Sequence, residues 1–294
     1  MLDEVAAAVG TRPVDVAYLA PGAEIGVTER GGLWRAFRGT PSERVLILGV
    51  AQLDGMTQLQ LRSILAHEHG HFRNEDTAGG GFALAVRRSL LSLSERLSTE
   101  GGGGVLNPVW WFVRVFYQIY LGISQGASRL QEVLADRWAV RAYGSAAFIA
   151  GYRHVIARTV EHEDHVDKTI KEVLEHKWAL PNLYDHDPYD KQSDEELAAA
   201  VEKVSTAEPT VHDSHPSPRQ RLEWAERLAV VRDASPDDDA KAWDLFDDPD
   251  AIERAVTAVL REDVYSRLGV LIPAEDDDAG DVATDAATTP VTST

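Results

Sequence analysis

The sequence predicts an α+β fold, mostly helical, with a small N-terminal antiparallel sheet packed against one motif-bearing helix. Three observations predict it. Extended patterns are confined to residues 14–50, helical periodicity begins at Thr57 and recurs as far as Leu268, and 44% of the 294 residues are hydrophobic. That content is ample for one sizeable core.

Taken in order, Val14–Leu19 alternates, Pro21-Gly22 marks a turn, and Glu24–Thr28 is a second extended piece. Gly31-Gly32 opens a loop, Arg44–Val50 is the strongest strand, and Asp54-Gly55 turns the chain into the motif helix. Thr57 and Gln60, three residues apart, form a capping-box start for a helix reaching His71 or Phe72. At about 100° per residue, Leu61, Ile64, Leu65 and Phe72 make one apolar stripe. Glu68 falls inside that stripe, His67 and His71 lie on its flank, and His69 projects away from the pair.

Gly79–Gly81 and Gly101–Gly104 are flexible breaks around a helical stretch, Phe82–Leu97. Val105–Ile123 is apolar and aromatic, with Arg114 its one charge. A helix at Ser128–Tyr143 is stopped by Gly144, and a long one follows from Ala146 to about Leu180. Pro181–Gln192 reads as a polar loop, with shorter helices at Asp194–Val204 and Pro218–Val231. In Ile252–Leu268, Ile252, Val256, Val259, Leu260 and Val264 form a face that should dock on the rest. The expected organisation is one domain over 1–230, an acidic linker over 231–250, a docking helix over 251–272 and a disordered acidic tail over 273–294.

The net charge is −19, and much of it is local. Residues 233–250 carry eight acids and one Lys, and residues 273–294 carry six acids and no base. Such a chain is a poor nucleic-acid binder, because phosphate contacts need Lys and Arg. Cys is absent, which removes disulfides, thiolate zinc sites and Cys nucleophiles together. Met1–Ala20 lacks the basic and apolar regions of a signal peptide, so the expected location is the cytoplasm or the cytoplasmic face of a membrane.

His67-Glu68-His69-Gly70-His71 spells H-E-x-x-H in this helical setting. Four residues apart on a helix, His67 and His71 can offer two imidazole nitrogens to one metal ion. Glu68 stands where a carboxylate could take a proton from a metal-activated water. Zinc then needs a third protein ligand, which without Cys must be His, Asp or Glu. Glu132 is the choice. Asp136 follows one turn later on the same face, so one carboxylate can ligate the metal while the other orients a ligand His. His162 and His165, three apart, read as a solvated face rather than a second metal site. His154 and His176 carry no partner pattern, and His186 and His212 lie in loops.

These strings resemble the zinc peptidases of the HtpX and CAAX prenyl protease type, metallopeptidase family forty-eight. The matching stretches are Leu65–His71 with Asn74 and Asp76, then Ser128-Arg129 with Glu132 and Ala135-Asp136, then His215-Pro216 with Arg221. The resemblance covers about residues 1–230. It implies a zincin-like metallopeptidase domain acting as an endopeptidase on protein or peptide substrates. One Zn2+ per chain would be bound by His67, His71 and Glu132, with Glu68 as general base. Asp136 would brace a ligand His, with Asn74 in support, and His215 and Arg221 would lie near the oxyanion. The implied substrate-holding edge strand corresponds to Arg44–Val50, with Val45, Ile47 and Gly49 on it, and β-augmentation gives that a physical basis.

Many relatives carry membrane spans where this chain has Phe82–Leu97 and Val105–Ile123. The first holds Arg87, Arg88, Glu95 and Arg96 and should not span. The second is barely long enough, and Arg114 at its middle costs at least ~2.5 kcal/mol at a bilayer centre. It could pack on the domain, face a membrane peripherally, or span. The rival reading of the whole chain is a catalytically silent, zinc-stabilised interaction module, or a membrane-associated one. The intact Glu68 favours the enzyme.

Overall fold

The computed structural model describes residues 1–30, 42–74, 115, 128–184, 194–207 and 216–273. Helix α1 spans Leu2–Val9, followed by strands β1 (Val16–Ala20), β2 (Ile25–Arg30) and β3 (Glu43–Gly49). A 3-10 turn, Val50–Leu53, leads into α2 (Gln58–Arg73). The helical residues 128–143 form α3. Then come α4 (Ser145–His176), α5 (Asp194–Thr206), α6 (Pro218–Leu228), a 3-10 turn at Ala242–Leu245 and α7 (Pro249–Leu268). The fold is mostly helical with one small sheet.

The sheet is mixed, not antiparallel as expected. Its order is β1-β3-β2, with β1 parallel and β2 antiparallel to β3. The expectation that Arg44–Val50 forms an edge is therefore corrected. Val45, Ile47 and Gly49 lie on the middle strand, whose backbone is paired on both sides. Its near-continuous apolar run is the pattern of a strand enclosed by neighbours. Among the described residues the sheet's two outer strands are β1 and β2, joined by the turn at Pro21–Glu24. Leu46 and Leu48 face the core, while Ile47 stays 40% exposed on the other face.

Helix α2 starts as its sequence dictates. Thr57 Oγ1 accepts from the Gln60 amide at 3.2 Å, and Gln60 Oε1 accepts from the Thr57 amide at 2.9 Å. Its stripe of Leu61, Ile64, Leu65 and Phe72 is buried. Leu61 and Leu65 meet Leu46 and Leu48 of the sheet, Val5 and Val9 of α1, Ala139 and Val140 of α3, and Phe148 of α4. Two close crossings set the angles of the neighbouring helices. Gly70 of α2 lies against Ala135 of α3, and Gly151 of α4 lies against Gln60 and Ile64 of α2. In each case a side chain in place of the glycine hydrogen would meet its neighbour.

The stretch 231–250 is not a solvated linker. Lys241 forms an isolated bridge with Thr57, and Ala242 is fully buried in the core beside Met56. The Gln58 amide donates to the Ala240 carbonyl at 2.7 Å, and the Ala242 amide to the Met56 carbonyl at 2.9 Å. Backbone carbonyls of this segment thus satisfy amides that the start of α2 leaves open. Most of its acids face solvent, Asp238 is buried against Arg232, and Ala242, Trp243 and Phe246 make the apolar contacts. Beyond it, Val256 and Val264 of α7 join Val173, Leu180 and Leu183 in a second core that reaches Val50 and Ala51.

Among the described residues no helix is long and apolar enough to cross a membrane. Phe82–Leu97, the tail from residue 274 and all of Val105–Ile123 except Val115 lie outside the described residues.

Candidate active site

Because α2 and α3 cross so closely at Gly70 and Ala135, residues flanking those positions face each other. His67 and His71 come from α2, one turn apart, and their Nε2 atoms are 3.2 Å from each other. Glu132 of α3 reaches both, with Oε2 3.5 Å from His67 Nε2 and Oε1 3.7 Å from His71 Nε2. These three side chains each offer one ligand atom, all within 4.8 Å of one another, and form the metal-capable group among the described residues. His69 points elsewhere, as its place on the helix predicts. It is fully buried, and its Nδ1 lies 2.7 Å from the Leu65 carbonyl.

A buried frame holds the ligands. Asp136 Oδ1 is 2.9 Å from His67 Nδ1, which leaves His67 Nε2 turned toward His71 and Glu132. Arg221 of α6 grips the same carboxylate with two bonds, Nη2 to Oδ1 at 2.5 Å and Nε to Oδ2 at 2.9 Å. Its Nη1 lies 3.3 Å from Glu132 Oε2 and donates to the Tyr152 hydroxyl at 3.2 Å. The guanidinium also stands over the Tyr152 ring, 4.2 Å from its centroid. Helix α6 presents Arg221 from a well-defined start, with Ser217 and Gln220 in a reciprocal capping box and Pro218 in its first turn. A fork-on-fork pair of this kind fixes direction as well as distance. Both partners are buried, so removal of either leaves an uncompensated charge.

The electrostatics follow from that burial. Burial pushes the Glu68 carboxyl up, as does the nearby Glu132. His67, Arg221 and a hydrogen bond from the Val27 amide pull it down, and the balance leaves it at about 7. For Asp136, burial pushes the pKa up, but Arg221 and His67 outweigh it and the result lies below the ordinary value. His67 shows the opposite balance: burial and Arg221 push it down, Asp136 and Glu68 push it up, and the net shift is upward. Arg221 is held protonated, its burial outweighed by Asp136. Burial also raises the Tyr152 phenol, which keeps it neutral.

An open cleft of about 440 Å³ lies over this group. Its floor is His67, Glu68, His71, Glu132 and Arg221, and Ile64 adds an apolar patch. One wall is the β2 backbone at Ile25–Val27, and Tyr152 and Val155 of α4 contribute another. Two features here have no counterpart in the sequence reading. Tyr152 carries no motif, and only the Gly151 crossing brings it to the cleft. The strand beside Glu68 is β2, because the middle strand cannot offer an unpaired backbone. Of the other expected residues, Asn74 caps the end of α2, where its Oδ1 accepts from Trp138 Nε1 at 3.3 Å. His215 lies outside the described residues. Outside the cleft, His162 is buried and stacked on Tyr184 at 5.4 Å, not solvated as expected. His154 Nε2 is bonded to the Gln52 carbonyl at 3.1 Å.

The model of peptidase family M48 matches residues 15–229. No curated protein matches the chain. Among solved structures, the crystal structure of S. mikatae Ste24p aligns with 76% of this chain at 17% identity and a TM-score of 0.37. The alignment covers 49% of that protein, so the chain spans about half its length.

Proposed function

The chain belongs to peptidase family M48, and from that premise we propose that it is a zinc-dependent endopeptidase with a zincin-like catalytic domain. The observation that carries the proposal is the convergence of His67, His71 and Glu132 from two helices, with Glu68 beside them in one open cleft. The donor set suits zinc. Two imidazole nitrogens and one carboxylate oxygen, with no thiolate, are the ligands of a catalytic site that keeps a position open. The Asp136 contact to His67 Nδ1 is the outer-sphere support that such a ligand requires.

When bound, zinc would polarise the scissile carbonyl and acidify a water at the open position. Glu68 takes the proton of the attacking water on its carboxylate and returns it to the leaving amine. Burial raises this carboxyl and a bound zinc ion would lower it again, and a general base works best with a pKa near the working pH. Arg221 is committed to Asp136, Glu132 and Tyr152, so its first role is to position the ligand frame rather than to meet the oxyanion directly. Tyr152 accepts from Arg221 and keeps its own proton to donate into the cleft. His215 stays in the proposal as an oxyanion partner on the family resemblance alone.

The substrate lies extended along β2. That strand ends the described sheet, borders the cleft, and turns the Val27 amide toward the catalytic carboxylate. Pairing of an extended peptide with such an edge supplies backbone hydrogen bonds independent of sequence. The apolar lining by Ile25, Ile64 and Val155 favours apolar side chains near the cleaved bond. The deciding experiment measures zinc content and cleavage of a peptide library, with and without chelator. One equivalent of zinc and chelator-sensitive internal cleavage are expected. A metal-loaded protein that unfolds on chelation and never cleaves would favour the silent, zinc-stabilised module.

A further inference from the structure

One buried side chain that the proposed chemistry does not use joins two walls of the cleft. Gln52 lies in the 3-10 turn after β3 and is 0% exposed. Its Nε2 donates to the Ala23 carbonyl at 2.7 Å, and lies 3.1 Å from Thr159 Oγ1 and 3.3 Å from the Val155 carbonyl. Thr159 Oγ1 itself donates to the Val155 carbonyl at 2.8 Å, so toward Gln52 it can only accept. All three neighbours are therefore acceptors, which fixes the amide with its nitrogen toward them. Ala23 sits in the turn that launches β2, and Val155 lines the cleft from α4. A buried amide is costly unless its donors are used. An aliphatic residue of similar size would fill the space, but it could not tie the β2 turn to α4.

The same turn is held from its other sides. The Gly49 amide donates to the Glu24 carbonyl at 2.7 Å, the Ala51 amide to the Gly22 carbonyl at 3.1 Å, and the Gly22 amide to the Tyr184 hydroxyl at 3.1 Å. We infer that Gln52 is a positioning residue. It fixes the separation of β2 from α4, and so the width of the groove that receives an extended peptide. The inference rests on the reading of β2 as the pairing strand. A strand already held in place binds without the entropic cost of ordering it, so loss of the latch weakens substrate binding. The hydrogen bonds of the Gln52 side chain go to Ala23, Val155 and Thr159 and not to His67, Glu68, His71 or Glu132, so the chemical step and the metal affinity should be spared.

The test uses the full chain and Gln52→Met, which keeps length and removes the donors. Thr159→Val removes one of the two α4 acceptors and leaves the Val155 carbonyl, and serves if the first variant folds poorly. Amide exchange by mass spectrometry on the metal-free protein is expected to accelerate about tenfold over residues 22–30 and to stay unchanged over 61–71. With a peptide substrate, KM is expected to rise about fivefold or more, with kcat within twofold and zinc affinity unaltered. Thr159→Val should move both readouts the same way by less. Unchanged exchange over 22–30 in both variants overturns the latch. Faster exchange with KM unmoved, or a fall confined to kcat, overturns its role in holding substrate. The exchange readout needs no activity, whereas the peptidase reading stands or falls on chelator-sensitive cleavage by the wild type.

Discussion

Replacement of Gly70 by Ala should separate the metal site from the fold. A Cβ at Gly70 would stand 2.8 Å from the Ala135 Cα, 3.2 Å from its Cβ and 3.3 Å from its carbonyl oxygen. Ordinary van der Waals distance begins at 3.4 Å, so α2 and α3 must part by about 0.6 Å or deform by as much. Gly70 stands between His67 and His71, and Ala135 between Glu132 and Asp136, so the two ligand sets part together with the helices. Zinc–ligand distances tolerate only about 0.2 Å. Overpacking of this kind costs about 1–3 kcal/mol, and Ala in place of Gly in a helix offsets it by about 1 kcal/mol. If the helices separate, the metal-free protein loses little, and the strain returns when zinc pulls the ligands together. At 1.4 kcal/mol per tenfold, about 1–3 kcal/mol is a loss of roughly 5- to 150-fold in zinc affinity. Chelator competition measures that Kd, and thermal melts of metal-free protein should agree with wild type within about 4 °C. A folded Gly70→Ala protein with wild-type zinc affinity would refute the idea that this crossing sets the ligand distance. Adding Ala135→Gly should recover only part of the loss. It removes the Ala135 methyl but leaves the backbone of α3, the nearer obstacle, where it was.

Glu68→Gln should retain zinc by elemental analysis and lose about 10²- to 10⁴-fold in kcat, the usual contribution of a positioned general base. Asp136→Asn should weaken zinc binding by about 10- to 100-fold, measured by the same competition assay. It should also lower the urea midpoint of the metal-free protein, since buried Arg221 loses one of its two counter-charges and keeps only Glu132. Ala242→Asp puts an unpaired charge in the core at the start of α2, where a cost of about 3–5 kcal/mol would lower Tm by roughly 10 °C. A solvated linker would tolerate that change. Asp238 is held below its ordinary value of 3.8 by Arg232, with the Ser235 amide adding to the effect. Its contribution is therefore complete above that pH and lost as pH falls through the lower folded value. Urea midpoints of wild type and Asp238→Asn should differ at pH 7 and converge in strong acid.

What can be read in the chain are the features encoded over a few residues. The Thr57–Gln60 capping box, the buried stripe around Leu61 and the offset of His67 from His71 depend on helix geometry alone, and the structure has all three. Glu132 is legible through its pairing with Asp136, two carboxylates one turn apart on a helix otherwise rich in apolar residues, and through the family resemblance, since 48 acids and 10 His leave many other candidates. Sheet order is not legible in the same way. The family resemblance suggests an edge for Arg44–Val50, yet its unbroken apolar run marks a strand enclosed by neighbours. The stretch 233–250 misleads through charge density, since its acids hide the spaced Ala242, Trp243 and Phe246 that dock it. Arg221 is visible as a position, but its clasp on Asp136 spans 85 residues and needs the fold. Tyr152 and Gln52 have no local signal at all, because their roles exist only where α4 passes over α2 and beside the β2 turn.

The two halves of the cleft are held by separate devices. His67, Glu68 and His71 stand on α2 and Glu132 on α3, locked by the Gly70 crossing and by Arg221 on Asp136. The groove that would take substrate lies between β2 and α4, fixed by the Gly151 crossing and by Gln52 on Ala23 and Val155. None of the latch bonds involves a residue of the ligand frame, so variants in the two sets are expected to combine additively. Changes at Gly70, Asp136 or Arg221 should act on zinc affinity and kcat, whereas changes at Gln52 or Thr159 should act on KM. Ile64 is the exception that physics demands. It lies on α2 between the ligand frame and Gly151 and lines the cleft, so truncation there should move both parameters together.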